Sequence, residues 1–289
     1  MSPTEIPGFL ESFELWRDPL IAATMAAALC AFVGVYIVLR RIVFVSAALS
    51  QMSGVGVAAA FFLASVLGVE PHHAPWYLDP LLLALLFGAL GAALFSLPLG
   101  GRRIASETTV GIGYLVAAAA VILILNSPRV NQEAHEVNDL LYGNVVALQP
   151  GTLRILVITL VGLFAVHGLF YKEFVFVSFD AEMARTVGYR TWIWNLFLFE
   201  TFAVAISVST RAIGALPVFG LMILPAAAAL LLGRRMWQVF SLAVGFAVAG
   251  TFIGYYVSWH WELPTGASIV VVTAVFLAPG LVMQAWRAR

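Results

Sequence analysis

Charge is what this chain lacks most. Only 10% of its 289 residues are charged, against 62% hydrophobic ones, whereas soluble domains carry about 25% charged and about 45–50% apolar residues. So thin a covering leaves apolar surface facing outward, and lipid is the solvent that tolerates it. Neither sign of charge is in excess, with 15 Lys and Arg balancing 15 Asp and Glu. No basic face is therefore available for a nucleic acid. Cysteine is almost missing as well. Cys30 alone excludes a disulfide framework or a thiolate metal cluster, and within an apolar run it reads as a small buried hydrophobe. Enzymatic signatures are absent: no HExxH, no Gly-x-Ser-x-Gly and no phosphate-cradling Gly-Lys-Ser/Thr. The chain is expected to bind no cofactor of its own, and any ATP hydrolysis must come from another polypeptide.

What the sequence does have is long apolar runs. They fall at 19–39, 51–69, 80–98, 110–126, 152–171, 192–210, 213–232, 237–258 and 266–285. A spanning helix needs roughly 20 apolar residues, and barrel strands of about 9–11 residues would alternate where these do not. Unpaired backbone in lipid costs several kcal/mol per group, so the spans must be helical. The expected fold is an all-α polytopic membrane protein of about nine transmembrane helices, eight being the alternative. The weakest boundary separates the sixth run from the seventh, where only Thr210, Arg211 and Ala212 intervene.

Basic residues set the orientation. If Arg40 and Arg41 are cytoplasmic, nine crossings put Arg102, Arg103, Lys172, Arg185, Arg190, Arg234, Arg235, Arg287 and Arg289 on that side. Arg17, Arg129, Arg154 and Arg211 are left on the other. The N-terminus is then outside and the C-terminus cytoplasmic. Residues 1–18 carry Glu5, Glu11 and Glu14, the wrong charge for a cleavable signal. Their Phe9, Leu10, Phe13, Leu15 and Trp16 suit an interfacial segment on the lipid surface, leaving 19–289 as a single transmembrane domain. The inner loop at 172–191 holds a candidate short helix, with Asp180 as N-cap, Glu182 in its first turn and Gly188 as its stop.

Polar residues at membrane depth carry the functional signal, because they are costly there. Glu200 lies seven residues past Ile193, roughly 10 Å into its span at 1.5 Å per residue. It either joins two helices as a protonated, hydrogen-bonded carboxyl or faces a cavity or cation. Asn195, nearer the interface, reads as ordinary. Ser46, Ser50, Gln51, Ser53, Gly54, Gly56 and Ala58 form a small, polar face opening the second span, which serves helix packing or lines a substrate path. Pro217 and Pro225 are expected to bend the seventh span and free the carbonyls of Ile213 and Leu221. His72, His73, His135 and His260 lie in outer loops with Glu133, Glu136 and Glu262; converging, they could collect a divalent metal. His167 reads as a hydrogen-bonded interface residue.

Four stretches together resemble the ABC-3 family, the permease subunits of ATP-binding cassette importers for zinc, manganese and iron. They are GVYIVLRRIVFVSAALSQMSGVGVA (34–58), ETTVGIGYL (107–115) with DLLYGNVVAL (139–148), SFDAEMARTVG (178–188) and IGALPVFGLMILPAAAA (213–229). The resemblance implies a transition metal as substrate, zinc or manganese before iron, and a bacterial inner (plasma) membrane location. It implies as partners a second permease subunit, cytoplasmic ATPase subunits and an extracytoplasmic metal-binding protein. It also makes 178–188 a coupling helix docking on the ATPase, through Asp180, Glu182, Ala184, Arg185 and Gly188. Ser50, Gln51, Gly54, Glu200, Pro217 and Pro225 would line the substrate pathway. One departure stands out. Where the family commonly reads Asp-Ala-Leu-Ser-His, this chain has Ala47, Ala48, Leu49, Ser50 and Gln51. An anionic oxygen and an imidazole are replaced by a methyl group and an amide, so Glu200 is expected to join Gln51 as the metal's ligands. Otherwise the metal crosses hydrated or chelated, or a different cargo is moved. The readings outside the family are a proton-coupled secondary carrier relaying through Glu200, and a non-conducting membrane subunit.

Overall fold

A computed structural model describes residues 13–69, 75–97, 106–128, 130 and 151–287. The described chain is helical, in the order α1 (Phe13–Leu39), α2 (Phe44–Leu67), α3 (Pro80–Ser96), α4 (Ser106–Leu125), α5 (Thr152–Leu169), α6 (Tyr171–Phe179), α7 (Ala181–Thr186), α8 (Thr191–Ile213), α9 (Ala215–Leu232), α10 (Met236–Trp261), α11 (Thr265–Val275) and α12 (Leu277–Arg287). Each expected apolar run is met by a helix. Eight helical stretches are long and apolar enough to cross a membrane, and α3, at 17 residues, is a shorter ninth. At 1.5 Å per residue α3 reaches about 25 Å, enough where the bilayer thins locally.

Helix α1 begins no later than Phe13 and passes Pro19 without a break. Residues 13–18 of the expected interfacial segment therefore continue the first span, and residues 1–12 lie outside the description. The last span is in two pieces. Pro279 can donate no hydrogen bond to the Val275 carbonyl one turn back, and the helix divides at Phe276 between α11 and α12.

Helices α1 and α8 form the centre. α1 is buried along most of its length, including Ala23, Ala27, Cys30, Gly34 and Tyr36, and packs against α8, α9 and α10. Helices α2, α3 and α4 group on the α8 side, while α9, α10 and α11 group on the other. Membrane interfaces favour small residues because backbones can then approach closely. A Cβ on Gly34 would collide with the Met222 carbonyl of α9, and one on Gly56 with the Leu83 carbonyl of α3. The outer helices α4 and α5 expose Leu115, Val116, Leu123, Ile158 and Val161, as lipid-facing helices should.

The boundary between α8 and α9 is a single residue. Gly214 sits at φ 85°, ψ 164°, a conformation other residues rarely adopt. Arg211 thus lies in the last turn of α8 and not in a connecting loop. His167 is buried, with Nδ1 2.9 Å from the Leu163 carbonyl and Nε2 3.4 Å from the Thr201 hydroxyl of α8. It packs among Phe32, Tyr36 and Phe174, so the expectation of a hydrogen-bonded interface histidine holds.

Candidate functional site

The polar face of α2 meets α8 directly. Ser50 Oγ lies 3.2 Å from Thr210 Oγ1, both buried, and the Ser207 hydroxyl donates to the Ala84 carbonyl of α3 at 3.4 Å. Ser53, Gly54, Ser207, Thr210 and Arg211 line a cavity of about 20 Å³ here, room for a single water. The seam between α2, α3 and α8 is therefore shut in this conformation. Asp79 caps α3 by accepting from the Leu81 and Leu82 amides at 2.8 and 3.1 Å. Its charge favours the nearby Arg211 guanidinium at the end of α8.

The residues of the α2 face divide by position. Gly56 and Ala58 are buried packing residues, and Ser46 is spent on its own helix, donating to the Val43 carbonyl at 2.8 Å. Ser50, Ser53 and Gly54 turn to the α8 seam. Gln51 is half-buried, and neither it nor Glu200 makes a hydrogen bond or ion pair with another described residue. Glu200, also half-buried, lies ten residues before Thr210, about 15 Å along α8 from the Ser50 contact.

The two prolines of α9 behave differently. Pro217 is the third residue of the helix, where the backbone N–H has no intrahelical acceptor anyway. It therefore frees no carbonyl and does not bend the span, contrary to expectation. Pro225 lies in the interior and does leave the Leu221 carbonyl without its i+4 donor. Of the outer histidines, only His260 is among the described residues. It is exposed and stacks on Tyr256 with 6.3 Å between ring centres. No group of three His, Cys, Asp or Glu that could hold a metal occurs among the described residues. His72, His73, His135 and the stretch 139–148 lie outside them.

The 172–191 loop folds as its residues dictate. Asp180 caps α7, its carboxylate accepting from the Met183 amide at 2.8 Å. Glu182 stands in the first turn and Arg185 in the last, each at the end its charge favours. Gly188, at φ 96°, stops the helix. The Tyr189 amide donates back to the Ala184 carbonyl at 3.0 Å, and α8 starts two residues later. Ala184 is buried, while Phe179 at the end of α6, Met183 on α7 and Val187 just after it are exposed. Asp180→Ala should remove about 1 kcal/mol of local stability. A melting curve should show a small drop in midpoint with the protein still folded.

Sequence reasoning missed the partner of Asn195. The Arg40 Nη2 donates to Asn195 Oδ1 at 2.7 Å, and the guanidinium lies over the Phe199 ring at 5.6 Å. The signal was available: an arginine directly after a span and an amide one turn inside another.

A central pair of buried helices, a seam of hydroxyls between α2 and α8, and a short capped helix leading into α8 belong to a polytopic, all-helical membrane protein. Residues 12–284 match the ABC 3 transport family, and the chain belongs to it. The manganese import system permease protein ScaB of Streptococcus parasanguinis is 23% identical over 94% of this chain and 92% of that protein. The manganese transport system membrane protein MntC of Listeria monocytogenes is 24% identical over 92% and 89%. The fold is shared with the structure of PsaBC from Streptococcus pneumoniae in complex with Fab, at a TM-score of 0.78, 23% identity and 94% coverage of both chains.

Proposed function

We propose that this chain is the pore-forming permease of an ATP-binding cassette importer for a divalent transition metal, manganese before zinc or iron. One observation carries the reading within the family: α7, capped at Asp180 and stopped at Gly188, is closed by the Tyr189–Ala184 backbone bond and leads into α8 only two residues after Tyr189. Helix α8 has 23 residues, about 35 Å, and its far end closes the Ser50–Thr210 contact. A push on α7 by closing ATPase subunits would travel along this rod and part α8 from α2 and α3. The exposed Phe179, Met183 and Val187 would supply the docking surface. In this reading the N-terminus lies outside, and α6 and α7 lie on the cytoplasmic side of a bacterial inner membrane, which the clustering of basic residues on that side supports. A second permease subunit and an external metal-binding protein complete the assembly.

The donor chemistry favours manganese. The proposed path offers Ser50, Ser53 and Thr210 hydroxyls, the Gln51 amide and, further along, the Glu200 carboxylate, all oxygen donors. Oxygen suits Mn²⁺, whereas zinc prefers imidazole and thiolate. Proteoliposomes reconstituted with the ATPase and binding protein should take up radioactive manganese in an ATP-dependent manner, and faster than zinc. Glu200→Gln, nearly isosteric, is expected to lower that uptake roughly tenfold, equivalent to about 1.4 kcal/mol of lost charge stabilisation. Unchanged uptake in the variant would remove Glu200 from the path. Uptake that persists without the ATPase and collapses with an uncoupler would overturn the importer reading itself.

A further inference from the structure

At the end of the bundle that carries α7, a second cavity opens between the ends of α1, α3 and α8. It has a volume of about 260 Å³, and Arg40, Arg185, Ser96, Thr191, Phe95 and Val45 are among its lining. This wall has two halves of opposite character. One is apolar aromatic and aliphatic surface, and the other is two guanidiniums with two hydroxyls. No carboxylate belongs to the lining, and among the described residues neither arginine has an acidic group within ion-pair distance.

Arg40 is the group left incomplete. Its Nη2 is spent on Asn195 and its face on Phe199, but its Nη1 is buried with no hydrogen-bond partner. A buried cation with an unpaired donor is unfavourable by several kcal/mol unless an anion or a further acceptor completes it. Burial indeed lowers the Arg40 pKa to about 10. The site also lies at the level where helices end. Arg40 follows α1 directly, Ser96 closes α3, and the exposed Trp192 stands at the start of α8. Tryptophan beside arginine at helix ends marks the headgroup region of a bilayer.

We infer that this cavity is a binding site for a phosphate-bearing anion, held between Arg40 and Arg185, with an anionic phospholipid headgroup as its occupant. Arg is suited to this because its planar fork donates two hydrogen bonds to phosphate oxygens. Asn195 fixes the fork's orientation by holding Nη2, and Thr191 offers a further hydroxyl, while the Ser96 hydroxyl is spent on the Ala93 carbonyl at 2.8 Å. The apolar half of the wall accommodates the glycerol and the first methylenes of the acyl chains. Because Arg185 belongs to α7 and Arg40 follows α1, a bound phosphate would clamp the coupling helix to the central helix. The site does not depend on the identity of the cargo.

The test uses the full chain in nanodiscs of phosphatidylcholine with and without phosphatidylglycerol, and, separately, in detergent with inorganic phosphate. Phosphatidylglycerol should raise the melting temperature by roughly 3 °C or more, and native mass spectrometry should find it retained. Arg40→Gln should abolish both effects. Because that variant could also weaken folding, Ser96→Glu provides the complement. A carboxylate built into the cavity should pair with Arg40, stabilise the chain in phosphatidylcholine alone and remove its response to phosphatidylglycerol. An equal shift from inorganic phosphate alone would keep the anion site but assign it to a free ion. No shift in either medium, or the same shift in Arg40→Gln, would refute the proposal. So would protection of Arg40 from modification only when the ATPase is bound, which would make the occupant a partner carboxylate.

Discussion

In the proposed importer, Gly188→Val should leave ATP hydrolysis by the ATPase subunits running while substrate uptake falls by roughly tenfold or more. The reason is conformational and not steric. A Cβ at Gly188 meets nothing within 4 Å, but the backbone sits at φ 96°. Holding an L-residue there costs of order 1–3 kcal/mol, and β-branching adds to it. That energy is recovered only if the backbone turns away. The Gly188 and Tyr189 amides would then lose their bonds to the Arg185 and Ala184 carbonyls. Helix α7 would remain attached to the chain but would lose its fixed setting relative to α8, so force on it would be dissipated in the linker. Simultaneous assay of ATP hydrolysis and uptake in one proteoliposome preparation decides the matter. Normal uptake with normal hydrolysis would show that α7 is not the lever.

Gly34→Leu should have the largest effect on folding. Helices α1 and α9 approach so closely that a Cβ at residue 34 falls on the Met222 carbonyl. Backbone cannot rotate aside as a side-chain tip can, so the two helices must separate. Overpacking a well-filled core costs about 1–3 kcal/mol even where side chains yield, and here the obstacle is main chain. The expected outcome is little or no monodisperse protein after extraction, read by size-exclusion chromatography. Gly111→Ala on α4 is the control, since nothing lies within 4 Å of its added Cβ. It should stay within about 1 kcal/mol of the parent, on the stabilising side, because alanine is the better helix former.

The spans were legible because lipid makes the rule simple: long apolar runs, basic residues clustered after them, and glycine or proline at the ends. Asp180 and Gly188 were equally readable, since capping and stopping depend on neighbours within four residues. The α2 face was ambiguous because small polar residues serve packing and passage alike, and only partners on other helices separate Gly56 from Ser53. Pro217 misled because its effect depends on its distance from the start of the helix. That start is set by Gly214, two residues beyond where the run of Thr210 to Ala212 had suggested a boundary. Arg40 escaped notice for a different reason. It was counted for topology, and a residue's count says nothing about the 2.7 Å bond it makes to a helix 155 positions away.

The one-residue apex at Gly214 has a consequence for how the protein is made. With no loop between them, α8 and α9 cannot enter the bilayer one after the other, because the second has no slack in which to wait. They must partition as a single hairpin. Helix α8 is the least apolar of the eight long candidates and carries Arg211, whereas α9 is among the most apolar. Insertion follows apolarity, so the greasier arm escorts the poorer one, with Arg211 in its last turn, across. A polar insertion at 214 would release that pairing and leave α8 to fail at the translocon, even though no contact in the finished structure had been touched.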